Sequence, residues 1–162
     1  MGRLYSNGMT TVEFAIVAVV LFTMIFAVFE VGRGFYVYAM LDEVTRRGAR
    51  VAAVCPINDS AIPQLAVFNA SGDASSSNLV NELTPANVQI DYLDANGNVV
   101  GTPTTPEGFI QIRYVRARIV GYNHTVAVPF LTSFTNIQMP AFDAILPRES
   151  LGIPRDGAVT TC

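Results

Sequence analysis

The chain contains no lysine. All ten of its cationic residues are arginine, set against thirteen acids, for a net charge of −3. Binding to nucleic acid needs a basic face that neutralises phosphates, and an acid excess with so little basic surface argues against it. Histidine occurs once, at His124, which excludes a histidine-rich metal site. Adding Cys55 and Cys162 still leaves the set one short of a structural zinc site and shows no ligand spacing, so no metal and no cofactor is expected. A phosphate-cradling glycine loop is also missing, because Gly32-Arg33-Gly34 lies inside an apolar run with no strand before it. Asn123-His124-Thr125 reads as a turn between strands rather than as a catalytic base, and no enzyme activity is expected. No proline interrupts residues 8–54, no internal repeat is visible, and no second apolar stretch approaches spanning length.

What is there is one long helix. From Phe14 to Phe29 the chain is apolar with only Thr23 as a weak interruption, and it continues through Glu30-Val31-Gly32-Arg33 and Gly48-Ala49-Arg50 until Cys55-Pro56 stops it. This predicts a helix over 9–54, about 70 Å long at 1.5 Å per residue. Its first half suits a membrane. The run 14–29 covers about 24 Å, short of a bilayer core near 30 Å, and Thr10 to Val12 below and Val31-Gly32 above extend it. Glu30 and Arg33 are expected to snorkel at the far edge. In the second half, Val37, Leu41, Val44, Gly48, Val51 and Cys55 recur at 4-3-4-3-4 spacing, one face for a soluble domain to cover. Asp42 with Arg46, and Glu43 with Arg47, stand four apart as solvated pairs.

Glu13 is a lone acid one residue before the apolar run. Taken by itself it reads as a headgroup-layer residue of an ordinary signal anchor, favoured by the helix N-terminus. Its spacing from Gly8 adds more. A glycine, then an acid as the fifth residue after it, then an apolar run, resembles a type IV prepilin processing site. Val12-Glu13-Phe14-Ala15, Glu30-Val31-Gly32-Arg33 and Arg47-Gly48-Ala49-Arg50 at these spacings resemble the N-terminal segment of TadE-like proteins, the minor pilins or pseudopilins of tight-adherence (Tad) pili. The likeness covers roughly residues 8–54, with a weaker echo in Leu146-Pro147-Arg148-Glu149-Ser150; Cys55 and Cys162 are not part of it.

The resemblance implies a leader, 1–8, cut by a prepilin peptidase after Gly8 to leave Met9 as the new N-terminus. It implies an assembly role for Glu13, whose carboxylate would neutralise the new amine one helical turn away. In a low-dielectric bundle these opposite charges cost far less together than apart. It further implies an inner-membrane protein with its head outside the cytoplasm, assembled into a surface pilus used for adhesion. Its partners would be other pilin subunits, the peptidase, the inner-membrane assembly platform and, before assembly, membrane lipid. Arginine placement alone points the other way: Arg3 precedes the span while Arg33, Arg46, Arg47 and Arg50 follow it, which by the positive-inside rule favours a cytoplasmic head. A pseudopilin of a type II secretion system is a neighbouring reading. A different class is a periplasmic binding or enzyme domain on an uncleaved signal anchor.

Residues 55–162 are enough for one core. Short helices are expected around Ile62–Phe68 and Asn78–Leu83, and a strand from Val88 with Val88, Ile90 and Tyr92 on one face. Asp94-Ala95-Asn96-Gly97 signals a turn, with Val99-Val100 starting the return. Gly101 to Gly108 reads as a loop. Phe109 to Tyr122 reads as the longest strand, slipping near Tyr114-Val115, with Arg113, Arg116 and Arg118 as a solvent-facing row. Thr125 to Val128 reads as extended, Pro129 to Phe134 as an apolar lid or contact, and Ile137 to Leu146 as an edge strand interrupted at Pro140. The fold class is therefore α+β and pilin-like: a long helix under an antiparallel sheet of about four strands. Cys55 and Cys162 read most simply as a disulfide of an extracytoplasmic domain, with free thiols or a bridge to another subunit as the alternatives.

Overall fold

The computed structural model describes residues 7–126, 136–153 and 162. Helix α1 runs Asn7–Val54 without a break, 48 residues and hence about 72 Å. It begins slightly ahead of the expected start, so Gly8 lies in its first turn rather than before it. An 18-residue apolar window of this helix is 0 % buried, and the helix is long and apolar enough to cross a membrane. From Val37 onward the same helix is the spine of a small head. Residues 1–6 of the expected leader 1–8, and the apolar stretch 127–135, which includes Pro129 to Phe134, lie outside the described residues.

The head follows in the order α2 (Ala61–Ala66), a 3-10 turn (Pro85–Asn87), β1 (Val88–Leu93), α3 (Pro106–Gln111), β2 (Tyr114–Ile119), β3 (Asn123–Thr125), β4 (Asn136–Gln138) and β5 (Asp143–Pro147). An antiparallel sheet in the order β1-β2-β5 lies on α1, and β3 and β4 form a separate two-stranded ribbon. Three strands, not four, make the main sheet. Ile137 to Leu146 divides into two strands of different sheets, because the chain turns at Met139 to Phe142 around Pro140. The fold is α+β and pilin-like: one long helix with a small antiparallel sheet at its distal half.

Register explains the core. Ile90 pairs with Ala117 and Tyr92 with Val115, so these side chains meet the helix from one face of the sheet. On the helix, Ala52 and Ala53 are buried with Tyr92 and Val115, Leu41 and Val44 are fully buried with Val88, and Ala49 continues the covered face. That face is wider than the spacing of the large apolar residues indicated. Val51 is half-buried while the neighbouring alanines and Thr45 are covered, because small side chains let the sheet ride close. Closest approach is at Gly48, where an added Cβ would lie 3.2 Å from the Cβ atoms of both Ala117 and Ala66.

Other expectations change here. Asn78 to Leu83 forms bends and a turn, not a helix, held by the Ser77 amide donating to the Leu83 carbonyl at 2.7 Å. The turn after β1 forms around Asp94, whose Oδ1 accepts from the amides of Asn96 and Asn98 at 2.8 and 2.9 Å. Beyond it Val99 makes only an isolated bridge with Leu93, so the hairpin is not completed. The chain instead turns into α3, within the expected loop and strand start: Thr105 Oγ1 accepts from the Gly108 amide at 3.1 Å, and Pro106 opens the helix. The strand is thus confined to Tyr114–Ile119, and the slip in alternation marks the exit from α3 rather than a bulge.

Candidate functional site

Three places on α1 carry the residues singled out by the sequence. The first is the N-terminal end. The Gly8–Met9 bond lies in the first turn of the helix; Met9 is 77 % exposed and Glu13 is exposed one turn further on. Glu13 stands four positions after Met9, about 6 Å along the axis, so an amine made at Met9 could reach this carboxylate. The apolar residues that follow, Phe14 and Ile16 among them, face outward.

The second place is the neck, where the span gives way to the head. Arg33 Nε donates to Glu30 Oε2 at 3.1 Å, and its Nη2 donates to Glu30 Oε1 and to the Thr125 carbonyl. Glu30 and Arg33 therefore do not simply snorkel; they clasp β3 to the helix, because an edge carbonyl of the ribbon needs a donor at that point. His124 is 3 % exposed, with Nε2 at 3.6 Å from Glu30 Oε1. It belongs to a strand, not a turn. Burial first, and then the Arg33 guanidinium, lower the His124 pKa below 6.5, opposed by the Glu30 and Glu82 carboxylates. Thr125 Oγ1 donates to Glu82 Oε2 at 2.6 Å and ties the same strand to the loop before β1.

The third place is the distal end. Cys55 and Cys162 lie at disulfide distance, with Cα atoms 5.9 Å apart. The segment between β5 and Ile153 caps the helix: the amides of Glu149 and Leu151 donate to the Ala53 carbonyl at 3.2 and 3.1 Å, and that of Gly152 to Val54 at 2.6 Å. These are carbonyls that the end of a helix leaves without partners. Arg148 joins in, its guanidinium 5.3 Å from the Phe109 ring centre and its Nη1 donating to the Phe109 carbonyl at 2.8 Å.

Several sequence signals take on structural roles. Asp42 and Arg46 pair at 2.9 Å, but Arg47 turns from Glu43 to donate to the Leu65 carbonyl at 2.6 Å, with Phe68 beneath its guanidinium. Expected as a solvent-facing row, Arg116 and Arg118 instead converge on Asp91, at 2.7 and 3.3 Å from Oδ2. Asp91 is buried under them, opposite Arg116 in the β1–β2 register. A period-two pattern marks Asp91 as outward-facing but cannot show that two long side chains cover it. Arg113 stays at the surface and donates to the Ile110 carbonyl at 3.0 Å. Among the described residues no group of three His, Cys, Asp or Glu side chains could hold a metal.

A family model described as TadE-like protein matches residues 8–50. The matched stretch holds Gly8, Met9 and Glu13, the neck pair Glu30–Arg33, and the close-packing block around Gly48. No curated protein and no solved structure matches the chain. The match, on a long apolar helix, supports a TadE-like component of a Tad pilus. The TadE-like family is one of structural pilus proteins, and the apolar N-terminal helix fits a membrane-anchored one.

Proposed function

We propose that this chain is a minor pilin or pseudopilin that is cut after Gly8 by a prepilin peptidase and joins, or primes, a Tad pilus used for adhesion. The observation that carries the reading is the family match over residues 8–50, which begins at the glycine and includes the acid five residues later. The architecture is suited to it. Half of α1 offers an apolar cylinder that can lie in a bilayer or among other helices, while the other half is committed to its own head. The head would stand outside the cytoplasm and leave the inner membrane with the helix during assembly. Other pilin subunits and an assembly platform would be its partners.

Processing is the step to test. Co-expression with a prepilin peptidase should remove Met1 to Gly8, so that intact mass and N-terminal sequencing of the extracted protein begin at Met9. Gly8→Val should block the cut, since a branched side chain crowds a site shaped for glycine. Protein that keeps Met1 in the presence of active peptidase, or Gly8→Val trimmed like the wild type, would point instead to an uncleaved signal anchor carrying a periplasmic domain.

A further inference from the structure

A groove of about 440 Å³ opens at the neck. Its floor is one face of α1, formed by Ala27, Val31, Gly34, Phe35 and Tyr38 at helical spacing. Its wall is the ribbon side, with His124, Val126 and Met139. Apart from Glu30, His124 and the Tyr38 hydroxyl, the side chains described around it are apolar, and Glu30 is already engaged by Arg33. Ala27 lies within the apolar span, and Tyr38 is about 16 Å further along the axis. The groove therefore starts at bilayer depth and rises out of it.

Two observations indicate what fills it. Met24, three residues before Ala27 on the same side of the helix, is 62 % exposed, and Val31 and Phe35 of the floor are themselves 60 % and 73 % exposed, so the groove is continuous with the exposed apolar surface of the span. Size is the second. A single turn of a helix 10 Å across occupies about 420 Å³, so the groove could hold one turn and no more. A slender flexible chain suits it, and the volume lies in the range of small-ligand sites.

We infer that this groove takes one acyl chain of a phospholipid from the leaflet in which the span ends. The lipid would fill the seam between α1 and the ribbon and seat the neck on the bilayer surface. Apolar burial supplies the attraction. The inference rests on α1 lying in a membrane, and the test separates the two.

The full chain is reconstituted in phosphatidylcholine vesicles that contain a small share of phosphatidylcholine with a photoactivatable diazirine in one acyl chain. After illumination, adducts are mapped by peptide mass spectrometry. Adducts are expected within 14–26, where the bare span meets lipid, and also on the wall, at Val126 or Met139. Gly34→Phe places a ring in the groove, and an added Cβ there meets nothing within 4 Å, so the fold should tolerate it. It should lower wall adducts about tenfold while those on 14–26 stay unchanged. Gly34→Leu should give a smaller drop. Span adducts without wall adducts, or wall adducts indifferent to both substitutions, would overturn the groove as a lipid site. Loss of the span adducts themselves would reject the membrane reading, and this inference with it.

Discussion

At the scale of single residues, two ionisable side chains on or against α1 carry opposite kinds of consequence. Glu13 is exposed on the helix, and the proposed function gives it a role in assembly rather than in folding of the head. Glu13→Ala should leave processing, insertion and head stability unchanged, yet reduce recovery of the subunit in sheared surface material, because the Met9 amine would lose its neighbouring counter-charge in a low-dielectric bundle. Wild-type recovery would remove that role. His124 is the reverse case, a buried group against the head side of the neck. Its folded pKa lies below 6.5, because burial and Arg33 outweigh Glu30 and Glu82. Between that lowered value and 6.5 the unfolded chain binds a proton that the folded chain does not, so stability rises with pH across this window. It is full above about 6.5 and falls as the pH drops toward the folded value. Unfolding midpoints in detergent at pH 5 and pH 7.5 should differ in that direction. As His124 is the only histidine in the chain, His124→Gln should flatten the difference, and an unchanged pH slope in that variant would assign it elsewhere.

At the scale of elements, α1 was legible because its signals are long-range and redundant: an apolar run, no proline over 8–54, and a repeating buried face from Val37 to Cys55. Strand β1 was legible for the same reason, through alternation over Val88 to Tyr92. What failed were short elements whose state depends on neighbours. Helix α3 has its start signal in Thr105-Pro106, but six residues are too few for a visible period, and the apolar Phe109-Ile110 read as the beginning of a strand. The ribbon β3–β4 rests on three residue pairs, and His124 could not be placed in it without knowing that Arg33 reaches the Thr125 carbonyl. The placement of Gly8, Met9 and Glu13 on one helix was readable from spacing, while the clasp of Glu30 and Arg33 on β3 and the Asp91–Arg116–Arg118 cluster needed the fold. Gly48 shows how an element-level contact can be tested. An added Cβ sits 3.2 Å from two alanine methyl carbons, tighter than ordinary contact, on the line where α1 meets both β2 and α2. Gly48→Val should overpack this seam and cost about 1–3 kcal/mol in chemical unfolding. Gly48→Ala should cost less, since better helix propensity of about 1 kcal/mol offsets the crowding. Equal stability of Gly48→Val and the wild type would mean that the sheet is free to lift from the helix there.

At the scale of the whole molecule, the chain is an apolar rod whose distal half carries the head, and the head's return to the rod decides how the two move together. Neck and distal end hold it in different ways. Polar bonds from Arg33 and Glu82 fix β3 at the neck. At the far end, amides of Glu149, Leu151 and Gly152 cap the last carbonyls of α1, and Gly152 adopts φ 81 with its Cα so near Pro56 that an added Cβ would lie 2.7 Å from that residue's Cα. Cys162 lies beside Cys55, across a sequence separation of 107. A bridge there closes almost the entire head into one loop. For a loop of this length the chain-entropy model gives about 4–5 kcal/mol, an upper figure because it counts only the constraint on the unfolded chain. The cap bonds are local and survive reduction, so the folded head should keep its shape while the open chain gains freedom. Protein recovered from outside the cytoplasm should therefore show no free thiol and should run as a monomer on non-reducing gels, with a Cys55–Cys162 peptide on mass mapping. Reduction, or the double variant Cys55→Ser/Cys162→Ser, should lower the unfolding free energy by about 3–5 kcal/mol with little change in the native circular dichroism spectrum. A reducible dimer would assign Cys162 to a neighbouring subunit instead. Identical stability with and without reductant would show that the cap bonds alone hold the tail to the rod.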